Sequence, residues 1–390
     1  MNIKETAQKY NDYIVEMRRK IHQNPEVSTK EYETSKLIMA ELDKIGVPYV
    51  QCGLETGVLA TIKGAKEGKT ILLRADMDAL TVNEENDLPF KSKNEGVMHA
   101  CGHDAHAATL LTVAHILNDL KDELCGTVKL AFQPAEEVGL GADSMVENGA
   151  MEGVDGCFAI HIWTGVPSGM AVVAPGPRMA SAAKFDIWVQ GRGGHGSEPQ
   201  ATIDPVTCTT AIVNSLQTIV SREFSPMDAA VLTVGKIEAG TRWNVIADSG
   251  YITGTTRCFD MTILKEFPER IERMVKGICE AYRCSYKFEY ADLVKPTINH
   301  PEMAAVVEGS VKTVFGEDGL YPLGPITGGE DFSSFILAAP DKMGALAFVG
   351  CGCEEADSCH PHHSPKFKID ESALIKSAEL YCQVAADFLK

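Results

Sequence analysis

Apolar positions along the chain change their period several times, and the changes outline its elements. Residues 4–45 carry apolar positions at helical spacing and predict two amphipathic helices broken at Asn24-Pro25. Ser28 and Thr29 offer a start for the second helix, and Gly46 closes it. Short apolar runs then alternate with helical stretches. GVLATI and TILLRAD predict strands, AATLLTVAHILNDL a helix, and TVKLAFQP and GCFAIHI strands again. From about Ala183 the pattern changes: KFDIWVQGRG, AAVLTVGKIEAG and SGYITGTTRCF read as strands, with helices over 203–222 and 262–282. After Lys295-Pro296 helix and strand alternate once more, and a helix over 370–389 ends the chain. The alternation predicts the α/β class, with a central mixed, mostly parallel sheet flanked by helices. The expected division is a main domain from residues 1–182 and 294–390, with an α+β domain of 183–293 inserted between them.

Composition narrows the class. A chain of 390 residues exceeds one ordinary core. No apolar run is long enough to cross a bilayer, and the mixed, charged N-terminus lacks the apolar stretch of a signal peptide. The expectation is a cytoplasmic protein with no membrane partner. A net charge of −18 argues against nucleic acid, which needs a concentrated positive surface. Without an export signal, the twelve cysteines read as free thiols and not as a disulfide framework. Cys157 and Cys208 sit in apolar surroundings that suit buried thiols. Cys101 and the group Cys351, Cys353 and Cys359 stand apart, because histidines lie close to them in the chain.

In an open α/β sheet, functional side chains gather beyond the carboxyl ends of the strands. Four predicted strands lead into metal-type residues. ILLR runs into Asp76 and Asp78, VKLAFQP into Glu136 and Glu137, and CFAI into His161, while ALAFVG precedes a loop with His360, His362 and His363. Cys101-Gly102-His103-Asp104 precedes the helix AATLLTVAHILNDL, and Gly102 permits a turn tight enough for both donors to face one ion. Thiolate with imidazole suits zinc, and added carboxylates admit manganese, cobalt or nickel. Each residue alone has a bland alternative: a buried thiol, a helix-capping histidine, an acidic turn, a core histidine. The cluster reverses that balance. Adjacent glutamates suit two jobs, since neighbouring side chains point to opposite sides, one toward a metal and one toward a water as general base. Ligating histidines need partners on their second nitrogen, for which Asp76, Asp78 and Asp104 are candidates. Gly191-Arg192-Gly193-Gly194-His195-Gly196-Ser197 lacks the lysine of a phosphate loop, and its histidine suits polarising a carbonyl or stabilising an oxyanion. A separate zinc site at Cys351, Cys353 and Cys359 is disfavoured by the single residue between the first two.

Taken in order, LLRADMDAL, MHACGHDAH, FQPAEE, AIHIW, GRGGHGSEP, NVIADSGYITGTTR, GGEDFS and HHSPKF resemble the aminoacylase-type metallo-amidohydrolases. The match is to the branch of hippurate hydrolases, N-acyl-amino-acid deacetylases and indole-acetyl-amino-acid hydrolases. It extends from Arg18-Arg19-Lys20-Ile21-His22 to the C-terminal helix. The resemblance implies two divalent metal ions per subunit (Zn, Mn, Co or Ni) held by Cys101, His103, Glu137, His161 and His363, the last being the histidine directly before Ser-Pro. It implies Glu136 as the general base and Asp76 as a catalytic residue, with Asp78 supporting the metals. His195 would serve the oxyanion site from an inserted lid or dimerisation domain, in one arrangement across a dimer. Asn244 and Arg257 fall where the family places residues near the substrate carboxylate. Thr81 after DAL and Ala247 in VIAD replace prolines of the family pattern and touch no donor atom. The implied function is hydrolysis of N-acyl amino acids by a homodimer or higher homo-oligomer. A dipeptidase or carboxypeptidase with the same centre, and a non-catalytic metal-binding protein, are the rival expectations.

Overall fold

The computed structural model describes all 390 residues. Two compact units emerge, each discontinuous in sequence. The first comprises Met1–Arg178, Ile298–Gly324 and Asp331–Lys390, and the second Met179–Thr297 and Pro325–Glu330.

The first unit is built on a seven-stranded sheet. Its strands are β1 (Tyr49–Gln51), β2 (Val58–Lys63), β3 (Lys66–Asp76), β4 (Cys125–Gln133), β5 (Gly156–Pro167), β6 (Ala171–Val172) and the late strand Gly344–Gly352. The spatial order is β1-β2-β4-β3-β5, then Gly344–Gly352, then β6. β3 runs parallel to β4 and β5, and β5 parallel to Gly344–Gly352, while the outer strands are antiparallel. The sheet is therefore mixed with a parallel centre. A parallel strand covered on both faces reads as an unbroken apolar run, and Gly344–Gly352 is buried at every position. β3 changes along its length, exposed at Lys66–Lys69 and buried from Ile71 to Asp76.

Helices α1 (Ile3–Gln8), α2 (Asn11–His22), α3 (Tyr32–Ile45), α4 (His103–Asp119) and the C-terminal helix Ser372–Phe388 cover the sheet. The N-terminal stretch forms three helices where its pattern predicts two. A break at Lys9-Tyr10 divides the first, and α3 begins at Tyr32 and not at Ser28 or Thr29. Thr29 has a left-handed backbone (φ 69°), and its N–H donates to Glu31, which delays the helix start. Gly46 ends α3 in the left-handed conformation (φ 70°), as its sequence position predicts. α4 buries nearly its whole circumference, consistent with the apolar run AATLL followed by VAHIL.

The second unit contains a four-stranded antiparallel sheet ordered Ala230–Ala239, Ser249–Cys258, Ala182–Gln190, Ser285–Val294. Helices Pro205–Thr218 and Met261–Tyr282 share an apolar core with its strands, including Phe185, Ile187, Ile212, Leu216, Phe267 and Ile271. The strand Ser285–Val294 is absent from the sequence expectation. Its half-buried Tyr286, Phe288 and Tyr290 alternate with charged residues, a period-two signal diluted by polar composition. No helix is long and apolar enough to cross a membrane.

Candidate metal centre

Three parallel strands and two loop segments, 101–103 at the start of α4 and the one carrying His363, deliver the donors. β3 ends at Asp76, and Asp78 follows it into the loop. β4 ends at Gln133, after which Ala135 adopts a left-handed backbone (φ 55°) and turns the chain into Glu136 and Glu137. That conformation costs a non-glycine residue about 1–2 kcal/mol. It is held by the buried Glu31 carboxylate, which accepts the Ala135 N–H at 3.0 Å. Between Cys101 and His103, Gly102 is also left-handed (φ 91°), and a Cβ there would lie 2.4 Å from Ile162 Cδ1. Glycine is required on both counts. β5 does not end at His161, as the sequence pattern suggests, but continues to Pro167. His161 nevertheless lies beyond the last β3–β5 pair, Arg74↔Ala159, where the two strands no longer hydrogen-bond.

Among the donor groups whose atoms lie within 4.8 Å of one another, two triads overlap at the thiol: Cys101, His103 and His161, and Cys101, Glu137 and His363. Cys101 belongs to both. Its Sγ lies 3.5 Å from His161 Nε2. His161 Nδ1 donates to the Ile162 carbonyl at 2.7 Å, which leaves Nε2 as the free donor atom. His103 Nδ1 bonds Asp78 Oδ1 at 3.2 Å, which turns Nε2 toward Glu136 Oε2 and Glu137 Oε1, both 3.9 Å away. The two glutamates thus approach one atom together and do not point to opposite sides. The cause is the turn at Ala135, together with Asp78, whose oxygens accept the Glu136 and Glu137 N–H groups at 3.1 Å each. What separates them is their other neighbours: Glu137 Oε1 lies 3.6 Å from His363 Nε2 and shares a triad with Cys101.

His103 Nε2 and Glu137 Oε1 are buried without a hydrogen-bond partner. A buried polar atom left unpaired costs about 1–3 kcal/mol, more when charged. Burial, followed by the neighbouring Glu137 carboxylate, raises the Cys101 thiol well above its ordinary pKa. Burial also raises Glu137. A thiol, an imidazole nitrogen and a carboxylate oxygen facing each other are the donor set a divalent cation satisfies. The residues fit such a group.

The adjacent histidines divide cleanly. His363, with a left-handed backbone (φ 66°), reaches Glu137, whereas His362 Nε2 bonds the Ile162 carbonyl at 3.0 Å and stacks on Trp163. Burial pulls the His362 imidazole down to about 3. His360 lies 3.5 Å from Asp357. Cys351 is buried, Cys353 Sγ bonds Glu355 at 3.2 Å, and Cys359 is exposed.

The three candidate partner aspartates take different neighbours. Asp78 serves His103. Asp104 is paired with Arg18 at 2.7 Å and His22 at 2.8 Å. Asp76 binds Arg74 Nη1 and His106 Nδ1, both at 2.6 Å, with its Oδ2 3.7 Å from His103 Nε2. Burial pushes the Asp76 carboxyl up, but Arg74, His103 and His106 outweigh it and hold it well below the ordinary range. Sequence reasoning missed this support. Arg74 is wholly buried and also binds Gln133 and Asp331. His106 could have been found as the residue three positions after His103, on the same helix face.

The remaining candidates lie in the second unit. His195 sits in a short strand paired with Val245–Ile246, exposed, its Nδ1 accepting the Ser197 hydroxyl at 2.7 Å. Asn244 belongs to the same loop pair, its carbonyl accepting the Gly196 N–H at 3.0 Å. Arg257 stands on Ser249–Cys258, half-buried, its guanidinium bonding the Thr256 carbonyl at 2.9 Å.

A strand-end cluster of thiol, imidazole and carboxylate donors on a sheet with a parallel centre defines a class, proteins with a metal centre suited to metal-assisted hydrolysis. Comparison with known proteins gives the family. Residues 72–387 match the model of peptidase family M20/M25/M40, and the chain belongs to that family. It is 41% identical to thermostable carboxypeptidase 2 of Saccharolobus solfataricus, covering 99% of this chain and 98% of that one. It is 39% identical to IAA-amino acid hydrolase ILR1-like 2 of Arabidopsis thaliana, over 97% of this chain and 86% of that one. Identity with an N-acetyl-L-cysteine deacetylase of Bacillus subtilis is 37%, over 94% and 85%. A crystal structure of a Bacillus subtilis dinuclear metal-binding peptidase of the M20 family superposes with a TM-score of 0.84 at 32% identity, covering 98% of this chain and 99% of that one. The protein is a metal-dependent amidohydrolase.

Proposed function

We propose that this enzyme hydrolyses the amide bond of N-acyl amino acids, releasing a free amino acid and a carboxylic acid. The observation that carries this reading is the pair of donor triads sharing Cys101, with Glu136 beside them. One divalent cation would be held by Cys101, His103 and His161, a second by Cys101, Glu137 and His363. Zinc, manganese, cobalt and nickel all suit this donor set. When bound, such ions supply Lewis acidity, making a water acidic enough to ionise near neutral pH and polarising the amide carbonyl. Glu136 accepts the proton of that water and returns it to the departing amine. Asp78 orients His103 and fixes the backbone of both glutamates. Asp76 places its negative charge near His103 and acts through position, not by proton transfer.

In this reading the second unit is a lid and dimerisation domain. The resemblance gives His195 a role toward the oxyanion, and Asn244 and Arg257 roles toward the substrate carboxylate. The names of the indole-acetyl-amino-acid hydrolase and deacetylase relatives support an N-acyl amino acid substrate. The carboxypeptidase relative favours a second reading, cleavage of a C-terminal residue from a peptide. A panel of N-acetyl, N-benzoyl and indole-acetyl amino acids, assayed beside dipeptides and blocked peptides in each of the four metals, separates the two. Higher kcat/KM on the acyl amino acids supports the first reading, and preference for peptides rejects it.

A further inference from the structure

β3 and β5 hydrogen-bond from Ile71↔Gly156 to Arg74↔Ala159 and then part, although both strands continue. β3 stays with β4 to Asp76↔Gln133, and β5 stays with Gly344–Gly352 past Phe348↔His161. Asp76 and His161 lie on the two strands just past the point where they part. Two side chains from the covering helices bridge the strands in place of the missing ladder. Tyr381 of the C-terminal helix accepts the Ile160 N–H at 2.9 Å and donates to the Arg74 carbonyl. Further toward the site, His106 of α4 accepts the Ile162 N–H through Nε2 at 2.9 Å and meets Asp76 Oδ1 through Nδ1 at 2.6 Å.

A backbone N–H can only donate, so His106 Nε2 must offer its lone pair and the ring proton must sit on Nδ1. That proton is the donor an ionised Asp76 needs. Asp76, His103 and His106 lie close enough to hold an ion together, but both nitrogens of His106 are already used. On its other side Ile162 holds the site's histidine: its carbonyl accepts His161 Nδ1–H at 2.7 Å. A continuous chain therefore runs Asp76, His106, Ile162, His161, across a gap with no ladder bond of its own.

We propose that His106 is a positioning residue that ties Asp76 to the β5 backbone at Ile162, and thereby sets the spacing of His103 and His161 around the cation they share with Cys101. This inference rests on the metal-centre reading above. Ligand-orienting contacts of this kind change metal affinity by about 10–100-fold when removed. His106→Asn keeps a donor toward Asp76 and loses the Ile162 contact, whereas His106→Gln extends the other way, so the two sever different halves of the link.

The test is calorimetric titration of metal-stripped wild type, H106N and H106Q with Zn²⁺ and Mn²⁺, together with the visible absorption of the Co²⁺-loaded proteins. The expected result is at least tenfold weaker binding in both variants, with a shifted Co²⁺ spectrum. A merely structural role moves the melting temperature but neither of these. Isotherms and spectra matching wild type overturn the proposal. ¹⁵N histidine NMR of the wild type needs no variant to fold. A His106 protonated at Nδ1, bare at Nε2 and unmoved by added metal supports the proposal, and a protonated or metal-shifted Nε2 overturns it. Failure of the wild type to bind any divalent ion overturns the metal-centre reading itself, a result distinct from equal binding by wild type and variants.

Discussion

Asp78 Oδ1 lies 3.2 Å from His103 Nδ1, and this contact decides which nitrogen of His103 faces the other donors. The same carboxylate holds the N–H groups of Glu136 and Glu137 and accepts the Ser28 hydroxyl at 2.6 Å. One side chain thus orients an imidazole and fixes the backbone of the two adjacent glutamates, which come from a different part of the chain. Asp78→Ala is expected to weaken divalent metal binding by about 10–100-fold, with Asp78→Asn in between. Titration of metal-stripped protein measures this, and unchanged affinity in the alanine variant would reduce Asp78 to a bystander.

Glu136 and Glu137 are equidistant from His103 Nε2, so substitution is what distinguishes their roles. Glu136→Gln should keep both metals and lose about 10²–10⁴-fold in kcat. Glu137→Gln should lose metal. Metal content and steady-state rates on the same preparations check the pair. Near-normal turnover in the Glu136 variant would reject it as the base.

His362 and His363 offer a contrast between neighbours. His363→Ala should lower metal occupancy with little effect on the fold, since the side chain is 56% exposed. His362→Ala removes the Trp163 stack and the Ile162 bond, so it should lower the melting temperature. The loss is about 1–3 kcal/mol for a buried polar residue of this kind. Thermal melts and metal analysis separate the two, and the reverse pattern would exchange their roles.

The buried pair His22 and Glu84, 3.2 Å apart, makes stability depend on pH. Burial pushes the Glu84 carboxyl up, but its bond to His22 and the Ser92 N–H outweigh this and lower it. Its contribution is full above the ordinary value of 4.5 and is lost as pH falls through the lower folded value. Burial and Arg18 pull His22 down, but Asp104 and Glu84 raise it above 6.5 overall. That contribution is full below 6.5 and is lost as pH rises through the higher folded value. Together they predict greatest stability between about pH 4.5 and 6.5 from this pair. Urea unfolding across pH should show the alkaline decline in wild type and a shallower one in His22→Gln. Parallel slopes would exclude the pair as its source.

Much of the architecture was legible because local periodicity encodes it. The apolar runs of β3, β4, β5 and Gly344–Gly352 mark strands buried on both faces, and the rule that chemistry gathers beyond parallel strand ends brought Asp76, Glu136, Glu137 and His161 together in advance. Ser285–Val294 escaped because a half-buried strand rich in Lys, Glu and Asp carries little apolar signal. The late start of α3 escaped because the left-handed turn at Thr29 depends on Glu31, which is itself held by Thr56 and the Ala135 backbone.

By itself the sequence determined the donor types, their order and the strands that carry them, since these follow from residue identity and period. Only the tertiary structure decided direction. Asp78 and not Asp104 meets His103; both glutamates reach one nitrogen; His363 and not His362 reaches Glu137. The reason is physical. A hydrogen bond discriminates over tenths of an ångström, and those distances are set by contacts between residues tens to hundreds of positions apart. His106, spanning the parted strands from Asp76 to Ile162, is the clearest case, for nothing local to its helix says that two strands will separate beside it.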